Sequence, residues 1–170
     1  MTGAPTQLGD VARRLPRTTR ALTAIHCALI YRTRERLFPT WFGAPVLILE
    51  TIGRRSGKRR ATPLVYLPHD DGYAVVPANA GAEHAPAWWL NLQARREGFV
   101  VLNRHRYRIT PAIAAAPEHE LLWNRLRAFA PIDHYQQHTR RALPVVILRP
   151  SAAGTPLREP SRARLRPLTV

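Results

Sequence analysis

Three apolar, β-branched runs follow one another between Val46 and Ala78, and only a basic loop and the four residues HDDG separate them. Such runs read as strands, here Val46 to Ile52, Pro63 to Pro68 and Tyr73 to Ala78, and HDDG at His69 to Gly72 reads as the turn of a hairpin. Further along, Phe99 to Asn103, Tyr107 to Ala114 and Val145 to Leu148 have the same character, and NRH at Asn103 to His105 turns the fourth strand into the fifth. Helical patterns occupy a segment within Arg17 to Arg36, Ala85 to Arg96, Pro117 to Phe129 and a short stretch within Ile132 to Arg140. The order is helix, three strands, helix, two strands, helices, final strand. Parallel βαβ units alternate, and this order does not. A mainly β fold with flanking helices, a mostly antiparallel sheet or small barrel, fits instead.

A chain of 170 residues makes one domain large enough to bury a core unaided. The expected layout is an N-terminal helical arm over residues 1–44, a barrel over 45–150 and a basic tail over 151–170 that lacks periodicity and reads as disordered. A lone cysteine, Cys27, excludes a disulfide framework and a thiolate cluster. No stretch approaches the roughly 20 apolar residues of a spanning helix, and the N-terminus lacks a secretory apolar run, so a cytoplasmic location is expected. The arm from Ala21 to Gly43 interleaves Leu22, Ile25, Leu29 and Ile30 with Arg32, Arg34 and Arg36. That pattern suits packing on its own barrel or peripheral contact with the inner face of the membrane.

Lys and Arg number 26 against 11 acids, a net charge of +15, which calls for an anionic partner. The tail holds four arginines and one glutamate, so removing it takes three charges and leaves +12 on residues 1–150. The densest cluster is TIGRRSGKRRATPL, Thr51 to Leu64, with Arg54, Arg55, Lys58, Arg59 and Arg60 within seven residues and no acid among them. It is not a P-loop: three residues, not four, separate Gly53 from Gly57, and Arg59 follows Lys58. No GxGxxG follows a strand, so a Rossmann site is unsupported. What remains is a loop joining two strands whose guanidinium and amide groups suit a phosphate or carboxylate, each charge-assisted bond contributing roughly 1.5–3 kcal/mol. No nucleic-acid recognition motif accompanies the charge.

Metal and nucleophile signals are sparse. Among the histidines only His134 and His138 have helical i, i+4 spacing, and no metal site is assigned. With no GxSxG and with Cys27 in an apolar helical pattern, the chemistry of an enzyme with this sequence is expected to be carried by a bound cofactor.

Three separated stretches, LILETIGRRSGKRRATPLVYL, VVPANAGAEHAPAWWLNLQA and DHYQQHTRRALPVVILRP, together resemble the deazaflavin-dependent nitroreductase and quinone reductase family, whose members use reduced coenzyme F-420. The carrying pattern is TxGRxSGxxRxTPL, a glycine-containing turn before PAWWLNL, and YQxxTxR followed by PVVxL. The resemblance runs from about Pro45 to Pro150 and implies a split β-barrel similar to the FMN-binding split barrels. By motif, Arg54, Arg55, Ser56 and Arg60 would meet the coenzyme's phosphate and oligoglutamate tail. Ala61, Thr62, Pro63, Leu64 and Val65, with Val76, Pro77, Ala78 and Asn79, would line the deazaflavin ring, largely through backbone groups. Ala87, Trp88, Trp89, Leu90 and Asn91 would close the pocket. Adjacent helical residues point about 100° apart, so one tryptophan is expected in the core and the other, Trp88, near the ligand.

The implied reaction is hydride transfer to an electron-poor acceptor, a quinone or nitro-aromatic compound, with Tyr135 as the candidate proton donor. The alternative is a carrier that binds deazaflavin or flavin without turnover. Phe129 and Ile132 stand where quinone-reducing relatives carry tyrosines over the substrate, and Ala78 and Asn79 stand where serine and lysine are familiar.

Overall fold

A computed structural model describes residues 40–41, 44–70, 72–103 and 105–151. The residues before Thr40, where a helical arm containing Cys27 is expected, and the basic tail after Ser151 lie outside the described residues.

Among the described residues, eight strands and three α-helices follow in chain order: β1 Thr40–Trp41, β2 Ala44–Ile52, β3 Arg59–Val65, β4 Leu67–His69, β5 Gly72–Val75, α1 Ala87–Arg95, β6 Gly98–Leu102, β7 His105–Ile113, α2 Glu118–Leu126, α3 Ile132–Gln137 and β8 Val146–Pro150. Every pairing is antiparallel. Reading across hydrogen-bonded neighbours, the row runs β3, β2, β6, β7, β8, β5, β4, with β1 added beside the start of β2. The two ends of that row, β3 and β4, are separated in the chain by Tyr66 alone. One bent segment therefore serves both edges, and the sheet curls into a half-barrel with little free edge.

Sequence explains most of this. Both expected hairpin turns form: His69 pairs with Gly72, and Leu102 with His105. Asn103 supplies the positive φ, 50°, that a two-residue turn demands. β3 differs from expectation by starting at Arg59 rather than Pro63. Its first residues are polar because one side of the strand lies at an exposed rim, so no apolar run marks them.

Side chains alternate between two cores. Leu47 and Leu49 of β2, Val100 of β6, Ile109 of β7 and Val146 and Leu148 of β8 join Trp88, Trp89 and Leu92 of α1 in one cluster. Val145 and Ile147 turn the other way, with Ala74 and Leu67, to meet Leu122, Leu126 and Ile132 of α2 and α3. The period of two along Val145–Leu148 is the strand period itself. Each such leucine or isoleucine removed from water stabilises by about 1.5–3 kcal/mol. α1 packs on the first cluster and α2 and α3 on the second; the β2–β3 loop is bonded to α1, and the segment before β8 to the β5–α1 connection.

Candidate functional site at the barrel rim

The β2–β3 loop is shaped by its own backbone. Gly53 N–H donates to Lys58 O at 2.8 Å and Gly57 N–H to Gly53 O at 2.8 Å. Gly57 has φ +65°, and a Cβ on Gly53 would lie 2.6 Å from Ser56 Oγ, so a side chain there would collide with the turn. Asn91, buried in α1, fastens the loop to the helix: its Oδ1 accepts Arg54 N–H at 3.1 Å and its Nδ2 donates to Thr51 Oγ1 at 3.1 Å. One amide thus fixes a strand end, a loop and a helix relative to one another.

β-strand alternation sorts the arginines. Arg59 pairs across from Ile52, on the side of Glu50. There its guanidinium donates to both Glu50 carboxylate oxygens at 2.9 and 2.8 Å, and Arg106 Nε donates to Oε2 at 2.8 Å. Arg106 also lies 3.3 Å over the Phe99 ring. Arg60 pairs across from Thr51 and so faces the α1 side. Its Nε comes 3.9 Å from where a Gly53 Cβ would stand, which lays the side chain along the loop. Arg54, Arg55, Ser56, Lys58 and Arg60 are all exposed, and among the described residues none of these four cations has a carboxylate partner. Ser56 Oγ accepts Lys58 N–H at 3.4 Å. This is a concentration of uncompensated positive charge and spare donors, suited to a polyanion.

The same alternation divides the next five residues. Thr62 and Leu64 share the face of Arg60, with Leu64 packed against the barrel cluster. Ala61 and Val65 point outward, against Val46 and Ile48, and Pro63 is buried. Ala61 and Val65 therefore face away from Arg60.

Beyond β5 the chain leaves the sheet. Val76 packs toward the α2–α3 cluster, and Pro77 and Ala78 are buried. Asn79, Ala80 and Gly81 then follow with φ of 51°, 52° and 77°. Left-handed conformation at two successive non-glycine residues is strained and needs outside support. Asn79 Nδ2 donates to His84 O at 3.0 Å. Arg141 supplies more: its Nη2 donates to Pro77 O at 2.9 Å and Ala78 O at 2.6 Å, and its Nε to Ala82 O at 3.0 Å. Burial lowers the Arg141 pKa from its ordinary value, and the nearby Glu83 carboxylate opposes that shift.

α3 packs behind this turn. A Cβ on Gly81 would lie 3.0 Å from Tyr135 O and 2.9 Å from His138 Cβ, so the left-handed glycine admits the helix. Tyr135 is half-buried, and its hydroxyl has no hydrogen-bond partner among the described residues. Burial raises its pKa above the ordinary 10.0, which keeps the proton on the phenol at neutral pH.

Two expectations need correction. Trp88 and Trp89 are 6% and 7% exposed, their rings are 6.2 Å apart, and both belong to the barrel cluster. The division into one core and one ligand-facing indole is not seen, because both sides of this stretch of α1 are covered by the barrel. Ile132 is 3% exposed and packs with Leu122 and Leu126, so it is a core residue of the α2–α3 layer rather than a group over a pocket. Phe129 is 38% exposed. Of the other expected residues, Ala87 is exposed, Leu90 half-buried and Asn91 buried.

Sequence reasoning missed Arg141, Gln136 and Thr139 as builders of the site, although the YQxxTxR pattern held them. Gln136 Nε2 donates to Arg141 O at 3.0 Å, and Leu143 N–H donates to Gln136 Oε1 at 3.0 Å. Thr139 Oγ1 donates to Glu83 at 3.3 Å. A separate cleft of about 430 Å³ lies between α2 and the segment before β8, walled by Trp123 and Gln136. None of the residues expected at the site lines it. No group of three or more His, Cys, Asp or Glu able to hold a metal occurs among the described residues, and none of their helices is long and apolar enough to cross a membrane.

Comparison with known proteins agrees with the geometry. Residues 23–150 match the family model described as F420H(2)-dependent quinone reductase. An F420H(2)-dependent quinone reductase of Mycobacterium tuberculosis is 30% identical over 148 residues, 82% of this chain and 97% of that one. Among solved structures, an F420-H2 dependent reductase is 29% identical with a TM-score of 0.54, covering 61% of this chain and 93% of that one. A second, described as a domain-swapped dimer, is 29% identical with a TM-score of 0.55, covering 61% and 79%. Fold, rim motif and sequence match converge, and this chain belongs to the F420H(2)-dependent quinone reductase family.

Proposed function

We propose that this protein binds reduced coenzyme F-420 at the barrel rim and passes its hydride to a quinone or a similarly electron-poor acceptor. The observation that carries the proposal is the set of four cations, Arg54, Arg55, Lys58 and Arg60, without acidic partners among the described residues and held on the β2–β3 loop and the start of β3, which Asn91 ties to α1. Arg59, one residue from Arg60, is satisfied by Glu50 and is not part of the set. The residues fit the coenzyme, whose phosphate and glutamate tail is a flexible polyanion: guanidinium forks and the Ser56 hydroxyl grip such groups without needing a single geometry.

When bound, the coenzyme supplies the hydride from the carbon that replaces the reactive nitrogen of a flavin. The chain's own work is then to bind, orient and exclude water. The rim loop anchors the tail, and Thr62 and Leu64 with the turn at Pro77–Asn79 offer backbone and apolar contacts for a flat ring. Tyr135 keeps its proton at neutral pH and donates it to the acceptor's oxygen as the hydride arrives. The catalytic unit is residues 45–150. The arm at Ala21–Gly43 is assigned a peripheral contact with the cytoplasmic membrane face, supported by its apolar residues interleaved with arginines. That last assignment is checked by sedimentation with anionic vesicles.

The test is a fluorescence titration of the full chain with coenzyme F-420, followed by oxidation of the reduced coenzyme in the presence of menaquinone analogues and nitro-aromatics. Micromolar binding with quinone-dependent oxidation is expected. Binding with no oxidation by any acceptor leaves a carrier, and no binding removes the proposal.

A further inference from the structure

The turn Pro77–Ala82 shows how an arginine can act through a peptide bond. Ala78 has φ −69° and ψ −36°, and Asn79 follows at φ +51°. A right-handed residue followed by a left-handed one turns successive N–H groups into a concave nest that accepts an anion or a carbonyl oxygen. The Asn79 and Ala80 N–H groups have no protein acceptor among the described residues. On the opposite side of the first of these peptides the Ala78 carbonyl receives Arg141 Nη2 at 2.6 Å, and the Pro77 carbonyl, one residue earlier, receives the same nitrogen at 2.9 Å. In a trans peptide the N–H points opposite to the C=O, so anchoring Ala78 O on Arg141 aims Asn79 N–H away from the guanidinium. The charge on the carbonyl also polarises the peptide and strengthens that N–H as a donor.

Arg141 is itself held in place. Gln136 binds its carbonyl at 3.0 Å, and Glu83 accepts Arg140 N–H at 3.1 Å, which closes the segment 139–141 onto the turn it supports. A lysine cannot reproduce this, because three carbonyls at Pro77, Ala78 and Ala82 need the guanidinium's forked donors.

We propose that Arg141 is a positioning residue for ligand binding: it clips the turn into its left-handed form and presents the Asn79 and Ala80 N–H pair to an electron-rich oxygen of the bound cofactor's ring. The inference rests on the proposed function for the identity of the ligand, but the clip can be measured without it. In the full chain, backbone chemical shifts of Asn79 and Ala80 report the left-handed conformation in the free protein, and Arg141→Lys is expected to move both while far-UV circular dichroism is unchanged. Arg141→Ala and Arg141→Lys are expected to bind coenzyme F-420 at least tenfold and at least threefold more weakly than wild type. Adding Ala80→Gly to Arg141→Ala is expected to restore at least threefold of the affinity, since glycine adopts positive φ without a Cβ penalty. Unmoved Asn79 and Ala80 shifts in Arg141→Lys, wild-type affinity in that variant, or no restoration by Ala80→Gly each overturns the clip. If wild type fails to bind the coenzyme, the proposed function falls, and the chemical shifts alone decide the role of Arg141.

Discussion

Two arginine-rich regions lie back to back on β3, and they are built to opposite ends. On one face Arg59 and Arg106 converge on Glu50, which is 4% exposed, with both guanidinium groups within 2.9 Å of its carboxylate. On the other, Arg60 joins Arg54, Arg55 and Lys58 with no acid in reach among the described residues. The residue type and the chain segment are the same, and a single step along a strand changes the face. Charge count alone therefore says little about binding. Charge left unpaired by the fold is the informative quantity.

The largest expected effect lies on the paired face. Glu50→Ala strands two guanidinium groups, one of them largely buried, and should destabilise the protein by about 3 kcal/mol in urea titration, with coenzyme affinity changed by less than about threefold beyond that loss, a ratio that one displaced ligand bond would exceed. On the unpaired face, changing Arg54, Arg55 and Arg60 together to alanine should weaken coenzyme binding by at least about tenfold, the equivalent of about 1.4 kcal/mol, with a melting temperature close to wild type.

A sharper form sets neighbours against each other. Arg59→Ala should lower the melting temperature and spare affinity, while Arg60→Ala should lower affinity by roughly the worth of one charge-assisted bond and spare the melting temperature. The same loss in both variants would erase the distinction between the two faces.

Most specific is a pH effect. Tyr135 is acidic and its folded pKa is raised by burial above 10.0, so it remains a proton donor through neutral pH and loses that role only above pH 10. The raised pKa also means that its contribution to stability is present below the unfolded value and is lost as pH rises through the folded one. Tyr135→Phe should reduce kcat for a quinone by about 10²-fold if the phenol is the general acid, while coenzyme affinity holds. Unchanged kcat would assign the residue to packing behind Gly81.

Much of the fold was legible because its strands advertise themselves by period. Val46–Leu49 and Val145–Leu148 are apolar on both faces, and Asn103 and the HDDG turn mark hairpins that form. The first half of β3 was not legible, because Arg59 and Arg60 look like loop while each serves a different face. At the site, the basic loop was visible as charge, but which arginine was free depended on register with Glu50 and Thr51, a cross-strand fact that no single stretch contains. Arg141 was visible only as a letter in a pattern. Its work on Pro77, Ala78 and Ala82 spans more than fifty residues of chain. The paired tryptophans misled for a related reason: helical angle predicts divergence, but the barrel wraps far enough to bury both.

The most direct measurement compares two ligands across two proteins: intact coenzyme F-420 and the bare deazaflavin without phosphate or glutamates, each titrated into wild type and into the Arg54, Arg55, Arg60 triple alanine variant. If unpaired rim cations bind the acidic tail, wild type should favour the intact coenzyme by at least about tenfold, a coupling near 1.4 kcal/mol, and the variant should bind both ligands about equally. A preference for the intact coenzyme that survives in the variant would contradict the account.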